Sequence, residues 1–233
     1  MSLPRRVAII TGAAEGIGRA VARRLARDGY DLGLFDLPRA APRLADLADT
    51  VQREHGAKVT LVQGDVTREK DERGGLYAMI ANAGVAVNMP LHETPTSELD
   101  RMLDHAVRQM LAQGTGGRLV GAASHAAYCA GKFGVRALTQ CAAMDYGKHG
   151  ITANAYAPGA IETALLDNLD AYHTAKSGEK RGSWARWVRR EARGVGGGRA
   201  NWDVRDVAKL VSWLVSDEAA FVTVIVDGGM VFD

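Results

Sequence analysis

Two residue types that would restrict the class of protein are nearly missing from this sequence. Its 233 residues include only two cysteines, Cys129 and Cys141, and six prolines. Two cysteines cannot form the disulfide framework of a small secreted protein, and their scarcity fits a reducing compartment. Few prolines together with 27 glycines fit tight turns between strands and helices better than a polar linker.

A dominant charge and a long apolar run are missing as well. The chain carries 29 Lys and Arg against 27 Asp and Glu, a formal net charge of +2. This balance provides no broad field for nucleic acid or for a membrane surface. No run reaches the roughly 20 apolar residues of a membrane helix or the roughly 7–15 of a signal peptide. We therefore expect a cytoplasmic protein without nucleic-acid or membrane partners, and the absence of Cys/His spacing predicts no metal site.

Short apolar runs and amphipathic segments alternate along the chain. The runs predict strands at 7–11, 32–35, 58–63, 76–81, 118–122, 152–156 and 222–226. The amphipathic segments predict helices at 16–29, around 44–51, and at 97–113, 127–149 and 207–214. This alternation predicts an α/β fold, a doubly wound, Rossmann-like parallel sheet of about seven strands with helices on both faces. Without a repeat or linker, residues 1–233 are predicted to form a single domain.

A glycine-rich turn separates the first predicted strand from the first predicted helix. The segment Thr11–Gly18 reads T-G-A-A-E-G-I-G. Gly12 permits a sharp turn, Gly16 lets a pyrophosphate approach the backbone, and Gly18 allows close packing of the helix. The helix N-terminus adds free N–H groups and a positive dipole end. This combination predicts nucleotide binding, and the alternative is a tight turn that holds no ligand.

An acidic residue ends the second predicted strand. Asp36 lies 18 residues beyond Gly18, where a carboxylate can accept hydrogen bonds from both ribose hydroxyls and repel a 2′-phosphate. Glu15 adds negative charge inside the loop, and Arg39 is the one nearby residue that argues the other way. These residues predict NAD rather than NADP. A solvated residue in a turn is the alternative interpretation of Asp36.

A tyrosine and a lysine stand four positions apart in the long helix predicted at 127–149. On a helix, Tyr128 and Lys132 share one face, and an ammonium group beside a phenol lowers the phenol pKa. Such a pair can donate and accept protons in carbonyl–alcohol chemistry. Ser124 follows the preceding strand. The alternative is an amphipathic helix whose lysine extends its stem along the surface.

The order of these motifs resembles the short-chain dehydrogenase/reductase family almost from end to end. The segments that carry the resemblance are Thr11–Gly18, Asp36, Asp65-Val66, Asn82-Ala83-Gly84, Tyr128–Lys132, Asn154 and Pro158-Gly159. Residues 132–140 and 226–233 look like those of diacetyl/acetoin reductases and butanediol dehydrogenases. The resemblance implies NAD(H)-dependent interconversion of a small ketone and a secondary alcohol. It also implies a homodimer or homotetramer.

The resemblance assigns a role to each matching residue. Tyr128 is the implied catalytic acid/base, Lys132 lowers its pKa and binds the nicotinamide ribose, and Ser124 binds the substrate oxygen. Asp65 and Val66 flank the adenine, Asn82 lines the cofactor groove, and Pro158, Gly159 and Thr163 hold the nicotinamide carboxamide end. The full implied cofactor set is Gly12, Glu15, Gly16, Ile17, Gly18, Asp36, Asp65, Val66, Asn82, Tyr128, Lys132, Pro158, Gly159 and Thr163.

Three segments are shorter or different from the family pattern. Asn82 comes only 17 positions after Asp65, close to the minimum for a crossover with a helix. The helix predicted at 97–113 has no asparagine to support a proton relay, and Ser124 precedes Tyr128 by four residues where the family has about a dozen. The alternatives to an active enzyme are therefore an impaired or inactive nucleotide-binding protein and the product of a splice form or incorrect gene model.

Residues 164–199 are expected to form a substrate lid. The segment holds Trp184, Trp187 and eight Lys and Arg residues. One interpretation is an electropositive entrance for an anionic substrate. The other is a solvated helix whose tryptophans fold onto the core.

Overall fold

The computed structural model describes residues 5–65, 76–83, 110, 112, 114, 117–122, 126–158, 161–186, 203–222 and 225–227. Within these, residues 117–122, 126–133, 176 and 225–227 are described by their backbone alone. The strands are β1 (Val7–Thr11), β2 (Asp31–Asp36), β3 (Val59–Gln63), β4 (Ala78–Ala81), β5 (Gly117–Ala122), β6 (Ile151–Ala157) and β7 (Ile225–Asp227). The helices are α1 (Gly16–Arg27), α2 (Ala41–His55), α3 (Ala126–Tyr146), α4 (Ala164–Ser177) and α5 (Val204–Val215).

All seven strands join one parallel sheet in the order β3-β2-β1-β4-β5-β6-β7. The chain builds outward from β1 to β3 and then returns to place β4 on the other side of β1. This reversal is the switch point of a doubly wound sheet, where the loops after β1 and β4 part and leave a crevice at the carboxyl edge. The predicted fold class and strand number are confirmed.

Helices cover both faces of the sheet. On one face, α1 packs over β1 and β2, α2 over β2 and β3, and α5 against α1 and β5. Leu25, Leu47 and Val211 are fully buried in this layer. On the other face, α3 packs over β5 and β6, and a second core cluster includes Met79, Met110 and Ile151. Burial on both faces explains why the central strands are apolar without alternation. Residues 110 and 112 are helical, and the rest of the helix predicted at 97–113 lies outside the described residues.

Two predicted boundaries are wrong for identifiable reasons. The last strand was predicted from Val222, but the Val222 N–H donates to the Ala219 carbonyl and closes a turn, so β7 begins at Ile225. The first helix was predicted to reach Gly29 but ends at Arg27, since Gly29 adopts φ +93° and the Tyr30 N–H turns back to the Leu25 carbonyl. The other predicted strands and helices agree with the described ones to within about four residues, and α4 lies in the segment 164–199, which is predicted only as a lid.

Candidate functional site

The glycine loop after β1 folds tightly against the start of α1. Gly12 adopts φ +64°, a conformation that favours glycine, and a Cβ there would lie 3.0 Å from the Ala83 Cα. A Cβ on Gly18 would lie 2.1 Å from the Gly12 carbonyl oxygen. The loop and the first turn of α1 therefore touch backbone to backbone. Only glycine at positions 12 and 18 permits this approach.

The N-terminus of α1 opens toward the switch point between β1 and β4. Glu15 is its N-cap residue but makes no side-chain hydrogen bond to the helix. Its carboxylate instead lies 3.5 Å from the Arg43 Nε. The first N–H groups of a helix have no partner within the helix and attract anions. With Gly16 (φ +56°) and Ile17 in this turn, the loop fits the pyrophosphate of a dinucleotide.

A hydrogen-bond network ties the ends of β1 and β4 together. The Thr11 hydroxyl accepts from the backbone N–H groups of Asn82 (3.1 Å) and Ala83 (2.9 Å). The Asn82 amide donates to the carbonyls of Thr11 (3.1 Å) and Gly12 (3.3 Å). Its Oδ1 accepts from the Tyr156 hydroxyl at 3.2 Å. The side chain of Asn82 thus links the loops on the two sides of the crevice, and it also contacts β6 through the Tyr156 hydroxyl.

Asp36 is the last residue of β2 and lies beside the glycine loop. Its Oδ2 accepts from the Ala14 N–H at 2.9 Å and its Oδ1 from the Leu37 N–H at 2.8 Å. A carboxylate offers about four lone-pair directions, so each oxygen retains one for a further donor. Asp36 is therefore held in place by backbone groups and can still accept hydroxyl hydrogen bonds.

The segment after β6 returns across the carboxyl edge toward the glycine loop. Pro158 follows β6, which stands three strand spacings from β1, about 14 Å. Thr163 is the N-cap residue of α4, and a Cβ added to Gly16 would lie 3.4 Å from its Cγ2. Of the described residues, Pro158 thus lies at the carboxyl end of β6 and Thr163 lies against the cofactor loop.

The remaining predicted site residues are described less fully. Asp65 follows β3, at the carboxyl edge on the β2 side, where the Gly64 N–H donates to the Asp36 carbonyl. Tyr128 and Lys132 lie in the first turns of α3, which begins soon after the carboxyl end of β5. Ser124, Val66 and Gly159 lie outside the described residues. The topology thus places the described members of the predicted set along one edge of the sheet.

Sequence reasoning missed two residues that organise this site. The sequence places Thr11 at the end of the first strand and the start of the loop without a role of its own, yet its buried hydroxyl joins β1 to the end of β4. Tyr156 is 1% exposed and braces Asn82 from β6. The available signal was a hydroxyl side chain at or near the end of an otherwise apolar strand, which requires a partner when buried.

The fold and the glycine loop define an α/β protein of the Rossmann-like class. The family model described as short chain dehydrogenase matches residues 6–173, and the chain belongs to the short-chain dehydrogenase/reductase family. It is an oxidoreductase of the kind that acts on CH–OH groups. Among the described residues, no helix is long and apolar enough to cross a membrane.

Several relatives align with nearly the whole chain. A short-chain dehydrogenase/reductase of Armillaria gallica is 36% identical and covers 98% of this chain and 97% of its own. The L-2,3-butanediol dehydrogenase of Corynebacterium glutamicum is 31% identical, over 98% and 99%. The structure of acetoin dehydrogenase from Salmonella typhimurium superposes with a TM-score of 0.75 at 25% identity, over 97% and 96%. The predicted resemblance to acetoin reductases and butanediol dehydrogenases is confirmed.

The alignments also bear on the missing segments. The alignment with the Armillaria gallica relative spans 261 positions, more than the 233 residues of this chain. The relative therefore holds residues that this chain lacks. A chain shorter than its relative agrees with the close spacing of the motifs in this sequence.

Proposed function

We propose that this chain interconverts a small ketone and a secondary alcohol with NAD(H). The observation that carries the proposal is the crevice between β1 and β4. There, the first turn of α1 has no side-chain cap, and a backbone-tethered Asp36 stands beside it. Diacetyl and acetoin are the proposed substrate type, because the butanediol and acetoin dehydrogenases among the relatives are named for such compounds.

The described residues suit a bound dinucleotide. We assign the pyrophosphate to the N–H groups near Gly16, Ile17 and Gly18, and the adenine to Asp65 and Val66. Asn82 lines the groove, and Pro158, Gly159 and Thr163 hold the carboxamide end. The nicotinamide dinucleotide would supply or accept a hydride when bound.

Charge around the ribose position favours NAD over NADP. Asp36 would accept hydrogen bonds from the ribose hydroxyls and repel a 2′-phosphate. Glu15 pairs with Arg43, which keeps that guanidinium occupied at the edge of the loop. Arg39 is exposed three residues beyond Asp36 and is the cation nearest in sequence to Asp36.

The acid–base steps are assigned to α3 and the segment before it. In the reducing direction the Tyr128 hydroxyl donates its proton to the ketone oxygen. Ser124 donates a hydrogen bond to the same oxygen, and the Lys132 ammonium stabilises the resulting phenolate. Alcohol oxidation reverses these proton movements.

Activity is tested by following NADH oxidation with diacetyl in the wild type and Tyr128→Phe. Loss of a general acid lowers turnover by about 10²–10⁴-fold. Tyr146→Phe, which alters a tyrosine of the same helix, is the matched control and keeps wild-type turnover. Full turnover by Tyr128→Phe would remove Tyr128 from the mechanism.

The second candidate is a nucleotide-binding protein without turnover. Two features of the sequence favour it: Ser124 precedes Tyr128 by only four residues, and the helix predicted at 97–113 has no asparagine for a proton relay. It predicts saturable NADH binding and no reduction of diacetyl or acetoin by the wild type. A full-length transcript that contains the missing segments would instead identify this chain as a shortened form of an active enzyme.

Three further features belong to the proposal. Residues 164–199 form the substrate lid of a single domain over 1–233. The chain assembles as a homodimer or homotetramer, which sedimentation equilibrium would test. Its location is the cytoplasm, which a fluorescent fusion in the host cell would test.

A further inference from the structure

A buried carboxylate on α4 fastens the next turn of the chain. Asp170 is 3% exposed, although the carboxylates of most helices face solvent. Its Oδ1 accepts from the Ala185 N–H at 2.9 Å and its Oδ2 from the Gly182 N–H at 2.5 Å. Both oxygens are thus bonded to backbone groups of a single turn, residues 182–185, which we name the anchored turn.

The electrostatics agree with this geometry. The Asp170 pKa lies below its ordinary value, chiefly because the carboxylate accepts a hydrogen bond from the Ala185 N–H. Partial desolvation opposes this shift, and the Gly182 N–H adds to it. Arg181 and Arg186 flank the turn and act in the same direction. The carboxylate is therefore ionised at neutral pH, and charged acceptors make the stronger hydrogen bonds.

The anchored turn carries an aromatic contact back to the same helix. The Trp184 indole stacks on the His173 imidazole, with centroids 4.4 Å apart and planes 13° from parallel. His173 lies three residues after Asp170 on α4 and also meets Tyr172 edge to face at 5.4 Å. Asp170 therefore fixes Trp184 by holding the backbone N–H of its neighbour Ala185.

The far end of α4 meets the cofactor loop. Thr163, its N-cap residue, lies against Gly16. Asp170 follows seven residues later, about 10 Å along a helix. The anchored turn is thus joined by one rigid helix to the loop assigned to the pyrophosphate.

We propose that Asp170 is a positioning residue for substrate binding, because it fixes the anchored turn and Trp184 as one preassembled wall of the substrate pocket. The proposal rests on the proposed function, since it names what sets the affinity of that site for its ketone. It assigns no contact between Asp170 and substrate. The wall exists before the substrate arrives, so its loss raises the KM for substrate and leaves cofactor affinity unchanged.

The test compares Asp170→Asn with Asp49→Asn, which changes an exposed carboxylate on α2, outside the proposed lid. An asparagine keeps the size but replaces one acceptor oxygen with a donor that faces an N–H. We expect the KM for diacetyl to rise about tenfold, the weight of one charged hydrogen bond, with kcat and the NADH Kd within about twofold. Asp49→Asn keeps wild-type constants.

Trypsin provides a second measurement that needs no activity. The exposed residues Lys180, Arg181 and Arg186 are cleavage sites on both sides of the anchored turn. We expect cleavage there, followed by mass spectrometry, to be about tenfold faster in Asp170→Asn, since proteolysis follows local opening. Unchanged cleavage would show that Asp170 does not hold the turn.

Trp184→Ala covers the case in which Asp170→Asn fails to fold. It removes the stacked ring and leaves both Asp170 hydrogen bonds in place. We expect it to raise the KM for diacetyl about severalfold to tenfold, which is the contribution of one aromatic contact. Faster trypsin cleavage with an unchanged KM would overturn the positioning role. No diacetyl reduction by the wild type would instead overturn the proposed function, and the trypsin result alone would then decide whether Asp170 anchors the turn.

Discussion

The two edges of the sheet are built from different kinds of hydrogen bond. At the carboxyl edge, Thr11 and Asn82 bind backbone groups of neighbouring loops, and the first turn of α1 has no side-chain cap. At the amino edge, charged side chains bind one another. Arg6 donates to the Asp217 carboxylate at 2.9 Å, and the Tyr77 hydroxyl donates to the same carboxylate at 3.1 Å.

The amino edge closes upon itself. The Arg6 guanidinium lies 4.2 Å from the centre of the Tyr77 ring, and the Ser212 hydroxyl donates to Asp28 at 2.6 Å. A cleft of about 360 Å³ remains there, but the charged side chains of Arg6, Asp28 and Asp217 that line it already bind the partners just described. The carboxyl edge instead fixes its loops mainly by bonds from the side chains of Thr11, Asn82 and Asp36 to backbone groups, and it keeps helix N–H groups available. This difference teaches that position in the topology, more than the number of polar residues, marks the edge that binds a ligand.

The largest expected effect breaks the carboxyl edge at its tightest contact. In Gly18→Ala the new methyl meets the Gly12 carbonyl at 2.1 Å, a backbone atom that cannot move aside cheaply. We expect the free energy of unfolding to fall by about 3 kcal/mol and NADH binding to be lost. Urea unfolding and an NADH titration measure both. Gly147→Ala, where a Cβ meets nothing within 4 Å, serves as the control.

A smaller effect is expected from removing the hydroxyl that joins β1 to β4. Thr11→Val removes the acceptor of the partly buried Ala83 N–H and leaves the Asn82 N–H with only its bond to the Ile80 carbonyl. The expected loss in the free energy of unfolding is about 2 kcal/mol, measured by urea denaturation. Thr11→Ser keeps the hydroxyl and should retain most of the stability. A stable Thr11→Val together with a destabilised Thr11→Ser would show that the methyl group, rather than the hydrogen bonds, matters.

The next prediction concerns cofactor choice at the same edge. Asp36→Ser removes the charge that would repel a 2′-phosphate while leaving Arg39 exposed nearby. We expect the preference for NADH over NADPH to fall by about tenfold, the scale of one charged hydrogen bond. Parallel fluorescence titrations with the two nucleotides give the ratio. An unchanged ratio would assign the preference to another residue.

At the amino edge a comparable change should matter little. Arg6 and Asp217 are 44% and 69% exposed at their side chains, so their ion pair is screened by solvent. Arg6→Gln is expected to cost about 0.5 kcal/mol of unfolding free energy and to leave the NADH Kd unchanged. A weaker NADH affinity in this variant would contradict the separation of the two edges.

The smallest expected effect is a pH dependence at the start of α5. Arg205, which donates to the Asp203 carboxylate, holds the Asp203 pKa below the ordinary 3.8. Because the folded pKa is lowered, this contribution is present above pH 3.8 and is lost as the pH falls through the folded pKa. Asp203→Asn should therefore flatten the decline of stability below pH 3.8. Thermal unfolding between pH 2 and 5 measures it, and an identical decline in both proteins would contradict it.

Local sequence patterns could predict the sheet and the glycine loop because each depends on neighbours in sequence. The run Val7–Thr11 and the spacing of Gly12, Gly16 and Gly18 are local signals of a buried strand and a turn. Asn82 entered the prediction through family resemblance, and its contacts with Thr11 and Tyr156 depend on the order of the strands. Asp170 gave no signal, because an acidic residue in an amphipathic helix is ordinarily exposed and its partners lie 12 and 15 residues away.

The central claim is that the crevice between β1 and β4 binds NAD(H) in this shortened chain. The most direct measurement is a titration of the purified protein with NADH and NADPH, followed by tryptophan fluorescence. The account predicts saturable binding of NADH at a lower concentration than NADPH. A chain that is folded by circular dichroism but saturates with neither nucleotide would contradict it.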